Sequence, residues 1–346
     1  MNIIQVVKRF GLCGGMEEYV FQLSKELCNL GLSVKILCET QVGLSDERIE
    51  VVQLGQTLKK PRWYSHLSFA RKVQGWVSNN QNEQQIIHSH ERISCHNLTT
   101  IHSTLFNYPP KGFPTIRKFI NESLERRELS SSGIRAIVPV SDVISDQIKC
   151  KYPEISNMIS TPISPGTDYI DATPKDFAPE SPILGFMGKE WKRKGLTKIM
   201  RIWRELRKTI PQVKLCLAGF DSSEKIGLKP GEEKFVTILG VVRNKANFYE
   251  QIDLLLHPAQ REAFGMVIAE ALSLGIPVVC SSECGAASVN PHKDYVLNYN
   301  RPLGHWVKAT RQALFEPRKK TDVKSWSMVA SDYARLYASF HKSGPA

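Results

Sequence analysis

Residues 257–278 read HPAQREAFGMVIAEALSLGIPV. Two acids, Glu262 and Glu270, stand eight positions apart, and every residue between them is apolar or glycine. Carboxylates are seldom placed among apolar side chains without a partner, so the pair implies a ligand or a buried ionic network. DLLLHP before the stretch and IPVVCS within and after it are short apolar runs of strand type, which makes the whole strand, loop, helix, strand. The helix is expected to start near Phe264 and Gly265, leaving the amides of Gly265, Met266 and Val267 as unpaired donors. On helical rise the two carboxylates would lie ~12 Å apart along the axis, beyond the ~5 to 9.5 Å of the paired acids of glycoside hydrolysis. That separation suits the two ends of one elongated ligand, such as a nucleoside diphosphate sugar. The plainer alternative is that one acid caps the helix and the other pairs with a cation.

The same alternation repeats along the chain. Ile3 to Val7 reads as a strand, GLCGG as a turn, and MEEYVFQLSKELCNLG as a helix with Val20, Leu23, Leu27 and Leu30 in register before Gly31. VKILCE, IIHSH, TTIHS and RAIVPVS follow as strands, the last leading into the helix DVISDQIKC. From Ser160 to Pro182 the chain turns rich in Pro, Gly and Asp, which marks a domain boundary. The alternation then restarts with ILGFMG, the helix GLTKIMRIWRELRKT, KLCLAG and FVTILG. The fold class is therefore α/β, with two doubly wound domains expected at 1–168 and 182–325. A closing helix, 326–346, should carry Trp326, Met328, Val329, Tyr333, Leu336 and Phe340 on its apolar face and return to the first domain. Facing domains of this kind put the carboxyl ends of both sheets on an interdomain cleft, where ligands are expected.

Composition agrees with a globular chain: 346 residues, 42% hydrophobic and 23% charged. The eight cysteines are dispersed without a CxxC or zinc spacing and read as reduced thiols. The start, MNIIQVVKRFG, lacks a signal-peptide core and no apolar run reaches membrane-spanning length, so the expectation is a cytoplasmic protein. A net charge of +12 calls for anionic partners, yet no zinc-finger, leucine-zipper or RNP-like pattern accompanies it, and no nucleic acid is expected. Gly14 and Gly15 open a helix after the first strand, which suits an anion or is only a tight turn. MGKEWKRKGL places Lys189, Lys192, Arg193 and Lys194 in one loop at a strand end, either as a phosphate cradle or as a solvated basic face.

GKEWKRKGL followed by LLLHPAQREAFGMVIAEALSLGIPVV, with its E-x7-E spacing, resembles the retaining glycosyltransferases of family 4. GLCGGMEEYVFQLSKELCNLG, TTIHS, VPVSDVISDQI and SPGTD match the family's first-domain landmarks in order, so the resemblance covers nearly the whole chain. It implies the GT-B fold, two Rossmann-like domains facing a cleft. Within the family, LLLHPA, REAFGMVIAEAL and Cys284-Gly285 are most similar to glucosyltransferases of the lipopolysaccharide core. The resemblance implies that Glu262 lies by the donor sugar, that Glu270 holds the ribose hydroxyls, that Arg193 and Lys194 neutralise the diphosphate, and that Gly15 approaches it. His102, in TIHS, would touch the donor sugar; its other reading is a structural histidine at a strand end. Lys189 stands where the family commonly has Arg, so a point charge replaces a fork-type phosphate contact there.

No DxD triplet occurs, so no metal or other cofactor is expected, and Arg193 with Lys194 would stabilise the departing nucleoside diphosphate. The resemblance implies UDP-glucose as the favoured donor, a glycolipid or oligosaccharide acceptor, and retention of configuration. A nucleotide-sugar epimerase or hydrolase, or a non-enzymatic anion-binding protein, stays as the alternative. PPKGFPTIRKFINESLERREL carries Phe113, Ile116, Ile120 and Leu124 on one helical face, with Arg117, Lys118, Arg126 and Arg127. It reads either as a helix packed on its own domain or, with Lys59, Lys60, Arg62, Arg71 and Lys72, as a dock for an anionic membrane. The second reading would make the protein peripheral on the cytosolic face of the inner membrane.

Overall fold

The computed structural model describes residues 1–43, 46–58, 60–80, 85–106, 115–167, 170–174, 180–220 and 226–342. Lys59, Phe113 and Asp168, which the sequence reading used, lie outside the described residues. The chain divides into two compact units, Met1–Gly166 with Lys324–Ala346, and Thr167–Val323.

The first unit runs β1 (Asn2–Val6), β2 (Arg9–Phe10), α1 (Gly15–Asn29), β3 (Ser33–Cys38), β4 (Thr40–Gln41), β5 (Ile49–Gln53) and α2 (Arg62–Asn80). It continues with β6 (Gln85–Ser89), β7 (Leu98–Ile101), α3 (Ile116–Leu129), β8 (Ala136–Pro139) and α4 (Asp142–Lys151). The second unit holds β9 (Ile183–Met187), α5 (Leu196–Leu206), β10 (Lys214–Ala218), β11 (Val236–Ile238), α6 (Ala246–Tyr249) and β12 (Leu254–His257). After these come α7 (Met266–Ser273), β13 (Val278–Ser281), β14 (Val296–Leu297) and α8 (Leu303–Ala313), and the last described element is α9 (Trp326–Lys342).

Both main sheets are parallel throughout their recorded pairings, with orders β5-β3-β1-β6-β7-β8 and β11-β10-β9-β12-β13-β14. Each is the doubly wound order 3-2-1-4-5-6, which reverses beside the first strand of the unit and opens a crevice at the carboxyl ends there. The reversal falls between β1 and β6 in the first unit and between β9 and β12 in the second. Helical spacing accounts for the covering elements: α1 buries Val20, Leu23 and Leu27, and the chain turns away at Gly31, φ +80°. In the second unit α5 buries Ile199, Ile202, Trp203 and Leu206, and the Trp203 indole donates to Val213 O at 2.9 Å.

Two apolar faces differ from their expectation. In α9 Trp326, Val329, Tyr333 and Tyr337, spaced three, four and four, are buried together with Ala330, whereas Met328 is 54% exposed. At ~100° per residue Met328 is turned away from that stripe, and Tyr337 completes it. In α3 the expected Ile116, Ile120, Leu124 face does not hold: Leu124 is buried, but Ile116 is 81% exposed. The helix packs instead through its second half, where the buried acids are satisfied. Glu125 accepts from the Tyr152 hydroxyl at 2.8 Å and the Phe106 amide at 2.6 Å, and Glu128 accepts from Thr99 at 3.0 Å. No helix among the described residues is long and apolar enough to cross a membrane, and the cysteines are free, Cys150 exposed and Cys38, Cys216, Cys280 and Cys284 buried.

Hydroxyls tie α9 into the first unit. Tyr19 and Tyr333 hydroxyls meet at 2.9 Å, Tyr333 meets Thr100 Oγ1 at 2.7 Å, Thr100 meets His88 Nε2 at 2.7 Å, and His88 Nδ1 meets the Tyr337 hydroxyl at 2.7 Å. A direction that satisfies every member has Tyr337 donating to His88, His88 to Thr100, Thr100 to Tyr333, and Tyr333 to Tyr19, whose proton points to Ile163 O at 3.5 Å. Burial holds His88 neutral by pushing its pKa well below the usual value, as that direction requires. Tyr337→Phe leaves His88 Nδ1 buried without its donor. It should lower stability in urea unfolding by about 1–3 kcal/mol; an unchanged midpoint would show that the network does not hold the helix.

Candidate active site

The switch point of the second unit is built from three loops. After β9, Gly188 opens the loop to α5; a Cβ there would stand 2.5 Å from Lys194 Cδ, so glycine lets the lysine stem cross the backbone. Gly195, φ +90°, then caps α5, and a Cβ would meet Pro258 O at 2.1 Å. The β9 and β12 loops thus touch backbone to backbone, reinforced by the Gln260 amide donating to Arg193 O at 3.0 Å. After β12, Glu262 and Phe264 bond to the segment after β13: Glu262 N–H donates to Glu283 O at 3.0 Å and Ala286 N–H to Phe264 O at 2.8 Å. Cys284-Gly285 is therefore the strand partner of Glu262.

Into this frame the cations fold back. Glu262 Oε2 lies 3.1 Å from an Arg193 guanidinium nitrogen and 3.5 Å from Lys194 Nζ. Arg193 also pairs with Glu190 at 2.5 Å and donates to Arg261 O. Lys189 and Lys192 do not join them: both are exposed, and Lys192 lies over the Trp191 ring at 5.0 Å. The basic loop is thus divided, half drawn onto the carboxylate and half solvated. His257, at the end of β12, is fully buried, and burial followed by the Lys194 and Arg193 charges pushes its pKa well below the usual value.

Helix α7 begins at Met266, two residues later than Phe264, because Gly265 adopts φ +94° and is the cap. Met266 and Val267 amides stand in its first turn, and the Ile268 amide closes on Gly265 O at 2.9 Å. The helical rise consequently does not span 262–265, and the ~12 Å separation inferred for two acids on one axis does not apply. Glu270 is inside α7 and 2% exposed. Its oxygens meet Lys245 Nζ at 2.7 Å and the Tyr249 hydroxyl at 2.6 Å. Sequence reading missed both partners; the signal was the i, i+4 spacing of Lys245 and Tyr249 on the short α6 and its cap.

The first unit presents its own set at its strand ends. Gly15 starts α1, and a Cβ there would meet no described protein atom within 4 Å, so the protein's own packing does not call for glycine. His102, beyond β7, is half-buried; its Nε2 is 2.7 Å from His90 Nδ1, and His90 Nε2 is 2.6 Å from Gln5 Oε1. The Tyr19 ring stands edge-on to His102 at 4.6 Å between centroids. Burial pushes the His102 pKa down to about 3 and that of His90 well below the usual value, so both are neutral near pH 7. Gln5 and His90 were not singled out in the sequence, although polar residues set within or directly after the apolar runs NIIQV and IIHSH carried the signal.

Residues 171–321 match the family of glycosyl transferases group 1, and residues 13–168 match Glycosyltransferase Family 4. The chain is a glycosyltransferase of the GT-B fold. It is 23% identical to the GPI3 subunit of phosphatidylinositol N-acetylglucosaminyltransferase from Saccharomyces cerevisiae, over 96% of this chain and 81% of that protein. It is 22% identical to the D-inositol 3-phosphate glycosyltransferase of Corynebacterium urealyticum, over 97% and 94%. The fold of WaaG, a glycosyltransferase involved in lipopolysaccharide biosynthesis, superposes with a TM-score of 0.76 at 17% identity, covering 98% of each chain. As a transferase of this type the enzyme takes its sugar from a nucleotide sugar.

Two glycines separate packing from ligand approach. Gly195→Ala should destabilise the enzyme by at least about 1 kcal/mol, since a side chain at positive φ meets the Pro258 carbonyl. Gly15→Ala should leave the melting temperature unchanged and still reduce sugar transfer. Normal transfer by Gly15→Ala would remove that glycine from the site.

Proposed function

We propose that the enzyme is a retaining, metal-independent hexosyltransferase of family 4, with UDP-glucose as the favoured donor and a glycolipid or oligosaccharide as acceptor. The observation that carries this reading is the Glu262 carboxylate shared by Arg193 and Lys194 at the switch point of the second unit. Departure of a nucleoside diphosphate leaves negative charge on its terminal phosphate. Arg193 and Lys194 would meet that charge as it develops, together with the Met266 and Val267 amides of α7, which is stabilisation of the transition state over the ground state. Glu262 keeps the two cations side by side before the ligand arrives, so little reorganisation is needed. Glu270, anchored by Lys245 and Tyr249, would serve the ribose hydroxyls, Lys189 would add a point charge to the phosphates, and His102 would contact the sugar.

The acceptor divides into two readings. The fold match to a lipopolysaccharide enzyme supports a core glycolipid. The curated relatives, named for phosphatidylinositol and inositol 3-phosphate substrates, favour an acceptor bearing inositol phosphate. Either as a lipid would lie at a membrane, and the exposed end of α3 suits an anionic surface: Ile116 is 81% and Phe119 73% exposed, with Arg117 and Lys118 between them. On this reading the enzyme works at the cytosolic face of the inner membrane. Acceptor panels with labelled nucleotide sugars separate the two, and hydrolysis without any acceptor would favour the epimerase or hydrolase alternative instead.

Glu262→Ala and Lys194→Ala should each reduce turnover about 100-fold or more, the scale of one preorganised electrostatic contact, with the fold kept. Near-normal turnover of Glu262→Ala would remove the acid from the mechanism. UDP should raise the melting temperature by the same amount in Mg2+ and in EDTA, since a ligand of the native state stabilises it by mass action; loss of the shift in EDTA would overturn metal independence. Phosphatidylglycerol vesicles should sediment the enzyme at low salt and release it at high salt, and Arg117→Glu with Lys118→Glu should weaken the binding. Equal recovery on neutral vesicles would count against the anionic surface.

A further inference from the structure

With Gln5 Oε1 turned to His90, the two short contacts from Gln5 to His90 to His102 set which nitrogen carries each proton. Gln5 Oε1 can only accept, so His90 Nε2, 2.6 Å away, is protonated. His90 is neutral, hence its Nδ1 is a lone pair, and the 2.7 Å contact to His102 requires the proton on His102 Nε2. Neutral His102 is then left with a bare Nδ1. The chain starts from the Gln5 amide, whose orientation has its own reason. Gln5 is fully buried, and its NH2 has no fully formed hydrogen bond; the polar group it acts on is the Tyr337 hydroxyl. That hydroxyl gives its proton to His88 Nδ1, as derived above, and so can receive one from the NH2 but not from a carbonyl.

We infer that Gln5 and His90 are positioning residues that fix His102 as a hydrogen-bond acceptor, so that its Nδ1 receives a hydroxyl of the bound sugar and rejects a phosphate oxygen or carbonyl. The sugar half of this inference rests on the place given to His102 under the proposed function; the tautomer does not. An acceptor without a proton discriminates by chemistry as well as shape, because a site built to bond a hydroxyl is left unpaired by an analogue that cannot donate.

The test uses the full-length, ligand-free enzyme labelled with 15N-histidine, the His102 signals being those lost in His102→Gln. His102 Nδ1 should resonate as a bare nitrogen and Nε2 as a protonated one, with the same pattern at His90; a protonated Nδ1 at His102 overturns the inference outright. Gln5→Leu should mix the tautomers of both rings and reduce kcat/KM about tenfold, the worth of one hydrogen bond, with UDP affinity unchanged. Gln5→Glu, which restores the acceptor, should recover the single tautomer even if Gln5→Leu folds poorly. Donor sugars with one hydroxyl at a time replaced by hydrogen or by fluorine complete the test. At one position both replacements should reduce transfer alike, and the loss should vanish in His102→Ala. Fluorine tolerated where hydrogen is not would mean that His102 donates, which overturns the inference. Absence of transfer from every nucleotide sugar by the wild type would be a separate failure, of the transferase substrate reading, and would leave the tautomer result standing.

Discussion

The second unit is organised around one carboxylate that two cations share. Arg193 and Lys194 adjoin in sequence, and bringing both to Glu262 requires the β9 loop to fold back sharply, over Gly188 and through the positive φ of Gly195. The residue that carries the carboxylate is held in turn by backbone hydrogen bonds to residues after β13. Removing Glu262 would leave two positive groups close together and only partly solvated, with repulsion that the loop could relieve only by opening. With it in place, these three groups carry one net positive charge, and Glu190, paired with Arg193, offsets that charge, so the cluster is stable by itself.

In the first unit the constraint is different, since its site is held by neutral groups. Gln5, His88, His90, His102, Thr100 and the tyrosines of α1 and α9 form chains of short contacts that run in one direction, so that each shared proton has one acceptor. Charging His88 or His90 would put two protons into one contact, and burial opposes charging all three histidines, as the lowered pKa values show. The two units are therefore held differently: the second by charge balanced with charge, the first by fixed dipoles.

The strands and the helices that cover them were legible because apolar runs and helical spacing are properties of single segments, as in NIIQV or in Val20, Leu23 and Leu27. Glu262 and the basic loop were legible as a motif. What could not be read was which of the loop's cations turn inward, because this depends on Gly188 and Pro258 from different loops. Lys245 and Tyr249 as the partners of Glu270, and Gln5 as the foot of the histidine chain, are likewise contacts between distant segments. The α3 face was misjudged for a related reason. An apolar stripe was counted, but the buried side is decided by Glu125 and Glu128, whose partners Tyr152, Phe106 and Thr99 lie elsewhere in the chain.

The chain leaves the first unit at Gly166 and re-enters it beside the same spot: a Cβ on Gly166 would stand 2.5 Å from the Trp326 backbone nitrogen. The first unit is thus completed by residues that a ribosome makes only after the whole of the second. Until α9 emerges, Tyr19, His88 and Thr100 have no Tyr333 or Tyr337 to bond, and the apolar flank of α1 is open to water. Domains generally fold in the order of their synthesis, and here that order is inverted for the last step: the second unit can be finished while the first still waits for its final helix. The histidine chain is assembled only once α9 has been made.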